Sequence, residues 1–301
     1  MMQPIATIKR TKEIQDKYQI FTKKNYGQNF IIEPKIVEKI ADYAIQDPDE
    51  LVFEIGPGIG ALTEFLCQKA KRVIALEIDS RLPSILQAEV KGDLTVLLQD
   101  VLETDIDQLI RSYRKPNQKV VFASNLPYYI TTPILFRLFE AKEPIERITV
   151  MMQKEVGQRF LADSKDKEYN ALSVITQYRC DIKKVMDVSR HVFWPKPNVD
   201  SMVLSFSFHH RYALEQEELF FEMVKACFQQ RRKTIANNMG KWIKDKMQAE
   251  QILKAAGIDP ETRAQQLGLE EFIKLFDEVK FYEGASTGKS ESGIGCHRET
   301  K

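Results

Sequence analysis

From residue 51 onward, short apolar runs rich in β-branched residues alternate with longer stretches whose apolar positions recur every three or four residues. The runs L-V-F-E-I (51–55), R-V-I-A-L-E (72–77), L-T-V-L-L (94–98), K-V-V-F-A-S (119–124) and I-T-V-M-M (148–152) read as strands. Amphipathic segments near 61–71, 80–91, 105–114 and 131–142 read as the helices between them. Units of that rhythm join parallel neighbours, so the pattern predicts an α/β fold on a parallel sheet. Helical signals at 153–162 and 169–180 lead into K-K-V-M-D-V-S (183–189) and M-V-L-S-F-S-F (202–208), which predict an antiparallel edge.

Beyond His210 the strand signal stops. E-L-F-F-E-M-V-K-A-C-F-Q-Q-R-R-K-T-I-A-N-N-M-G-K-W-I and E-E-F-I-K-L-F-D-E-V-K-F-Y keep helical spacing throughout, which predicts a small C-terminal all-helical domain over 211–283. Residues 284–301 are rich in Gly, Ser and Thr with almost no apolar anchors, so they read as a disordered tail. Residues 25–210 then form the α/β domain, and residues 1–24 a basic N-terminal arm able to order over a ligand cleft.

Hydrophobic residues at 43% and charged residues at 29% are an ordinary globular balance, and no apolar run is long enough to span a bilayer. No secretory leader is visible at the start, so a cytoplasmic, soluble protein without membrane contact is expected. Four scattered cysteines (Cys67, Cys180, Cys227, Cys296) and four dispersed histidines (His191, His209, His210, His297) give no metal-ligand spacing, and no metal is expected. A net charge of +1 conceals local asymmetry: residues 1–24 hold six Lys/Arg against two acids, and residues 225–246 hold seven against one. Such clusters are either solvated helix faces or phosphate contacts. Arg231, Arg232 and Lys233 in Q-Q-R-R-K, with Lys241 and Lys244 in K-W-I-K-D-K, are the candidates for contacts to a nucleic-acid backbone, read as lying on helices of the second domain. Trp242 among them is either a stacking ring or a core residue.

Candidate chemistry begins where the first of these strands runs into E-I-G-P-G-I-G-A (54–61). Glycines at Gly56 and Gly58 permit a sharp turn and close approach of a ligand, and the following helix start offers N–H groups. Glu77 ends the next strand, 21 residues past Gly56, where a carboxylate can accept from both hydroxyls of a ribose. The same spacing satisfies the G-x-G-x-x-G/A pattern of nicotinamide and flavin proteins, so the turn alone leaves the nucleotide open. Asp100 follows the third strand, either as a turn residue or as an acceptor for an adenine amino group.

S-N-L-P-Y-Y-I-T-T-P (124–133) narrows the choice. An exocyclic adenine nitrogen is a poor nucleophile because its lone pair is delocalised into the ring. The amide oxygen of Asn125 and the carbonyl of Leu126 can accept its protons and localise that pair, with Pro127 fixing the carbonyl's direction. Tyr128 offers a ring on which a flipped base can stack.

Together Asn25-Tyr26-Gly27-Gln28-Asn29-Phe30, E-I-G-P-G-I-G, Glu77, Asp100, N-L-P-Y-Y and Phe193-Trp194-Pro195-Lys196-Pro197-Asn198-Val199-Asp200-Ser201 resemble the ribosomal RNA adenine dimethyltransferase family, over about residues 20–280. The resemblance implies a Rossmann-like, seven-stranded class I methyltransferase sheet that binds S-adenosyl-L-methionine. It implies that Gln28, Asn29 and Ile31 cover the methionine end of the cofactor, that Gly56 and Gly58 approach its backbone, and that Glu77 binds ribose and Asp100 adenine. Asn125 would hold the reaction centre, and Phe193 would stack on the target base opposite Tyr128 or act as an apolar plug. Trp194 departs from the smaller or polar residues of the family at that position. The implied activity is N6,N6-dimethylation of two adjacent adenosines near the 3′ end of small-subunit (16S) rRNA, in a pre-ribosomal particle, by a monomer. Alternatives are the 23S rRNA adenine methyltransferases of macrolide resistance, or an RNA-binding assembly factor with dispensable catalysis; M-Q-K-E-V-G-Q-R (152–159) and the longer helical domain favour the small-subunit branch.

Overall fold

The computed structural model describes the backbone of residues 3–20 and 29–288. Its strands are β1 (Phe30–Ile31), β2 (Leu51–Ile55), β3 (Val73–Glu77), β4 (Leu94–Leu98), β5 (Val120–Asn125), β6 (Arg147–Gln153), β7 (Cys180–Val188), β8 (Phe193–Trp194) and β9 (Ser201–Phe208). Seven form one sheet in the order β4-β3-β2-β5-β6-β9-β7, and β1 pairs with β8 as a separate two-stranded ribbon. β4, β3, β2, β5 and β6 run parallel, while β9 pairs antiparallel with both β6 and β7, the antiparallel edge that the final two strand signals predicted.

Burial explains why the central strands carry no alternation. Every residue of β2 and β3 is buried, because helices cover both faces of a parallel sheet. β4, at the edge, is only half-buried. Phe53 stacks on Phe122 with centroids 5.1 Å apart, and Phe139, Phe160 and Phe206 meet edge to face around the other half of the sheet.

Chain order advances outward on one side from β2 to β4 and on the other from β5 to β6, so the direction of winding switches between β2 and β5. In open α/β sheets, ligands bind beyond the carboxyl ends of the strands at such a switch.

Three sequence boundaries are corrected. The described part of the expected N-terminal arm, residues 3–20, is not free: Ile8–Tyr18 is a helix, and Ile5, Ala6, Ile14 and Ile20 belong to the α/β core. Its charges are partly consumed internally, since Arg10, Lys17 and Tyr18 all donate to the buried Glu89 carboxylate. Burial raises that carboxyl's pKa, but the hydrogen bonds from Lys17 and Tyr18 and the Arg10 charge outweigh it and hold the group below its ordinary value.

The seam is also displaced. One compact unit comprises Met1–Leu161 with Arg179–His209, and the other Ala162–Tyr178 with His210–Lys301, so residues 162–178 belong to the helical unit. Tyr169 packs edge-on to Phe228, Tyr178 against Phe220 and Tyr212, and Lys165 N donates to Gln265 O at 2.9 Å. Finally, the last helix continues from Leu269 to Gly288, so residues 284–288 are helical; residues 289–301 lie outside the described residues.

Candidate active site

The carboxyl ends of β2, β3, β4 and β5 open into one cleft of about 280 Å³, the scale of a small-molecule site. Of the cofactor and base residues expected from sequence, Asn29, Ile31, Gly56, Gly58 and Glu77 line it, as do Asp100 and the N-L-P-Y residues Asn125 to Tyr128, with Phe193. Gln28 lies outside the described residues.

Gly56 and Gly58 both hold positive φ, +67° and +58°, which side chains with a Cβ adopt only at a cost. A Cβ on Gly58 would also press to 3.4 Å from the Phe30 ring. The helix after this turn begins at Thr63, later than its sequence signal. Its first amides are engaged by the chain itself: Glu64 N donates to Gly60 O, and Phe65 N and Leu66 N to Leu62 O.

Gly58 N donates at 3.2 Å to Glu77 Oε2, while Asp79 N donates at 2.8 Å to Glu77 Oε1. The two amides fix the carboxylate at the end of β3 and leave each oxygen a further lone pair for a ligand. Burial pushes the Glu77 pKa up, and the backbone hydrogen bonds from Asp79, Gly58 and Ile78 oppose that shift.

Asp100 is a turn residue, its Oδ1 accepting from Leu102 N at 2.8 Å, and it also borders the cleft.

β5 delivers Asn125 at its last position. Asn125 Nδ2 donates to Asn29 O at 3.5 Å, a long contact that points the amide nitrogen toward the residue before β1 and leaves Oδ1 as an acceptor. The Pro127 carbonyl is taken by Ile130 N and Thr131 Oγ1, and so is no candidate acceptor for a substrate. Tyr128 is anchored through its hydroxyl, 2.7 Å from Ser201 Oγ, and burial raises its pKa. β1 and β8 close over the cleft in the register Phe30↔Trp194 and Ile31↔Phe193, which brings Phe193, distant in sequence, to the same wall.

One site residue escaped sequence reasoning. Glu54, inside the β2 run, is 1% exposed, borders the cleft, and its Oε2 has no hydrogen-bond partner. Burial pushes its pKa up to about 8, with the Glu77 charge adding and the Thr63 hydroxyl opposing. A carboxyl left unpaired at this depth costs free energy unless a ligand completes it. An acid interrupting an otherwise apolar strand was the available signal.

In the helical unit, Arg231, Arg232 and Lys233 are exposed but occupy a turn, not a helix. The helix Glu217–Cys227 ends before them, Thr234 caps the next, and the buried Asn238 amide donates to Cys227 O and Gln230 O. Arg231 Nη2 also donates to Lys167 O at 2.6 Å. Lys241 stands on the helix Ile235–Ile243 and Lys244 is its left-handed cap, both exposed; Trp242 is half-buried.

A family model described as ribosomal RNA adenine dimethylase matches residues 21–280. The ribosomal RNA small subunit methyltransferases A of Bacillus cereus (strain B4264) and Bacillus anthracis (strain CDC 684 / NRRL 3495) are each 45% identical over 282 residues, covering 91% of this chain and 97% of theirs. Among solved structures, a dimethyladenosine transferase from Plasmodium falciparum superposes with a TM-score of 0.66 at 27% identity, over 84% of this chain and 97% of its own. The 23S rRNA methyltransferase ErmE superposes with a TM-score of 0.62 at 27% identity, over 84% and 100%.

Proposed function

The chain belongs to the ribosomal RNA adenine dimethylase family, and from that premise we propose that it transfers methyl groups from S-adenosylmethionine to N6 of two adjacent adenosines near the 3′ end of 16S rRNA, giving N6,N6-dimethyladenosine during ribosome biogenesis. The carrying observation is that β5 brings Asn125-Leu126-Pro127-Tyr128 into the same cleft as Glu77 and the glycine turn. A nicotinamide site would leave that tetrapeptide without a task. The small-subunit reading rests on 45% identity to the Bacillus small-subunit enzymes against 27% to ErmE.

The residues present fit S-adenosylmethionine. Glu77 suits the ribose diol, Asp100 an adenine amino group, Gly56 and Gly58 a closely approaching chain, and the unpaired Glu54 the net positive methionine end. When bound, the cofactor supplies an electrophilic methyl group on a sulfonium.

Asn125 Oδ1 and the Leu126 carbonyl accept the amino protons of the target adenine, localising its lone pair for in-line attack. Tyr128, held by Ser201, and Phe193 stack on the two faces of the base flipped between them. The amino proton becomes acidic once attack has begun, so water suffices to remove it and no side-chain base is needed. Positioning and exclusion of water therefore supply most of the acceleration. Arg232, Lys233, Lys241 and Lys244 hold RNA phosphates, and Arg231 shares that task with its structural bond. The substrate is rRNA in a pre-ribosomal particle, and the chain acts as a cytoplasmic monomer; among the described residues no helix is long and apolar enough to cross a membrane.

Incubation with labelled S-adenosylmethionine and unmethylated ribosomal subunits of both sizes, followed by mass spectrometry of the rRNAs, tests this. Dimethyladenosine at two adjacent positions in 16S rRNA alone is expected. Methylation confined to 23S rRNA would move the chain to the macrolide-resistance branch.

A further inference from the structure

Trp194 has no place in the chemistry described so far. It follows Phe193, which lines the cleft, and pairs in register with Phe30, yet 42% of its surface is exposed. One partner is visible: Lys12, on the N-terminal helix Ile8–Tyr18, holds its ammonium 4.7 Å from the centroid of the indole. Lys12 is itself exposed, and such a cation–π pair at the surface is weak. The 42% of the residue that stays exposed is open to a further partner.

The surroundings fit a polyanion. Lys196 and His191 approach each other within 3.4 Å on the segment around Trp194, and Arg190, on the same segment, is exposed with its guanidinium on Asn198 O. Lys9 and Lys12 add positive charge from the helix, and neither donates to Glu89 as Arg10 and Lys17 do. An aromatic ring among exposed cations is the arrangement that holds single-stranded nucleic acid, the ring taking a base and the cations its phosphates.

We propose that Trp194 is a second base platform, stacking a nucleotide that flanks the target adenosine while Lys12 and Lys196 contact the neighbouring phosphates. The proposal rests on the reading of the cleft as a site for a flipped RNA adenine. Trp194 directly follows Phe193, about 3.8 Å between Cα atoms, and successive side chains of a strand point to opposite faces, so its ring stands outside the wall that Phe193 lines, on the side open to a flanking nucleotide. A flipped base leaves its neighbours unstacked, so a ring beside the cleft replaces a stacking partner lost on flipping. The platform holds substrate and stands apart from the reacting atoms.

The chain has two tryptophans, Trp194 and Trp242, so Trp242→Phe leaves Trp194 as the sole indole reporter. This protein is titrated with a short single-stranded RNA containing adjacent adenosines, and with an oligomer of equal length whose sites are abasic. The emission should be quenched by the first and not by the second. In parallel, Trp194→Leu should raise KM for unmethylated small subunits roughly tenfold with kcat and S-adenosylmethionine affinity unchanged, and Trp194→Tyr should restore most of the loss.

Absence of base-dependent quenching, in a protein that still methylates rRNA, overturns the platform. So does a Trp194→Leu variant that loses cofactor affinity to the same extent as Lys12→Gln, because the pair then only pins the N-terminal helix to β8. A parent protein that methylates no rRNA refutes the underlying reading of the cleft instead.

Discussion

Glu50, immediately before β2, and Glu54, near that strand's carboxyl end, are both buried. At the amino end, Glu50 is completed by the protein: Arg147 Nη2 lies 2.9 and 3.0 Å from its two oxygens and also donates to Ala44 O, and Gln46 N adds a bond at 2.9 Å. At the carboxyl end, Glu54 keeps an oxygen without a partner and a pKa pushed up to about 8 by burial. The same residue type, four positions apart along the chain, is structural just before β2 and incomplete near its carboxyl end. A buried carboxyl that the fold completes is part of the scaffold, whereas one it leaves open in a cleft is a candidate ligand contact.

The largest effect that could break this contrast belongs to the closed end. Arg147→Met strands Glu50 without its cation and should cost about 3–5 kcal/mol of stability by urea unfolding, with cofactor affinity kept in whatever fraction remains folded. An unfolding midpoint equal to the parent's would remove the distinction between the two acids. At the open end, Asn125→Ala should spare folding and cofactor binding yet lower the single-turnover methylation rate by ~10²–10³, the magnitude for one preorganised polar contact. The mono- and dimethyl steps should suffer unequally, since the N6-methyl intermediate retains one amino proton for the acceptors. Parental rates for both steps would leave N-L-P-Y a structural turn.

Glu77→Ala should weaken S-adenosylmethionine binding by about 1.5–3 kcal/mol in a calorimetric titration, through loss of charge-assisted hydrogen bonds. Tight binding by this variant would free Glu77 of the ribose. The subtlest test sharpens the comparison at Glu54 itself. Its folded pKa is raised above the ordinary value of 4.5, so its stabilising neutral form is fully present below that value and is lost as pH rises through about 8. The cofactor-free protein should therefore lose thermal stability over that window, and Glu54→Gln should flatten the loss. Binding a cation beside the group should expel up to about one proton near pH 7, read as a dependence of the binding heat on buffer ionisation. A proton count unchanged in Glu54→Gln would assign the release elsewhere.

The sequence by itself determined the strands of the sheet, because short continuous apolar runs, set between segments of 3.6-residue period, are written into the order of apolar residues. It also determined the glycine turn, Glu77 and N-L-P-Y, because each needs particular residue types in a short span. Three matters only the tertiary structure decided. Residues 162–178 carry a plain helical pattern, and nothing local states that Tyr169 and Tyr178 pack with Phe228 and Phe220 in the helical unit. The charges of residues 1–24 look like a free arm until a carboxylate 72 and 79 residues away, Glu89, takes up Lys17 and Arg10. Glu50 and Glu54 are indistinguishable as letters; one meets Arg147 across β5 and the other faces the cleft, because a partner's position depends on strand order, which local pattern does not encode.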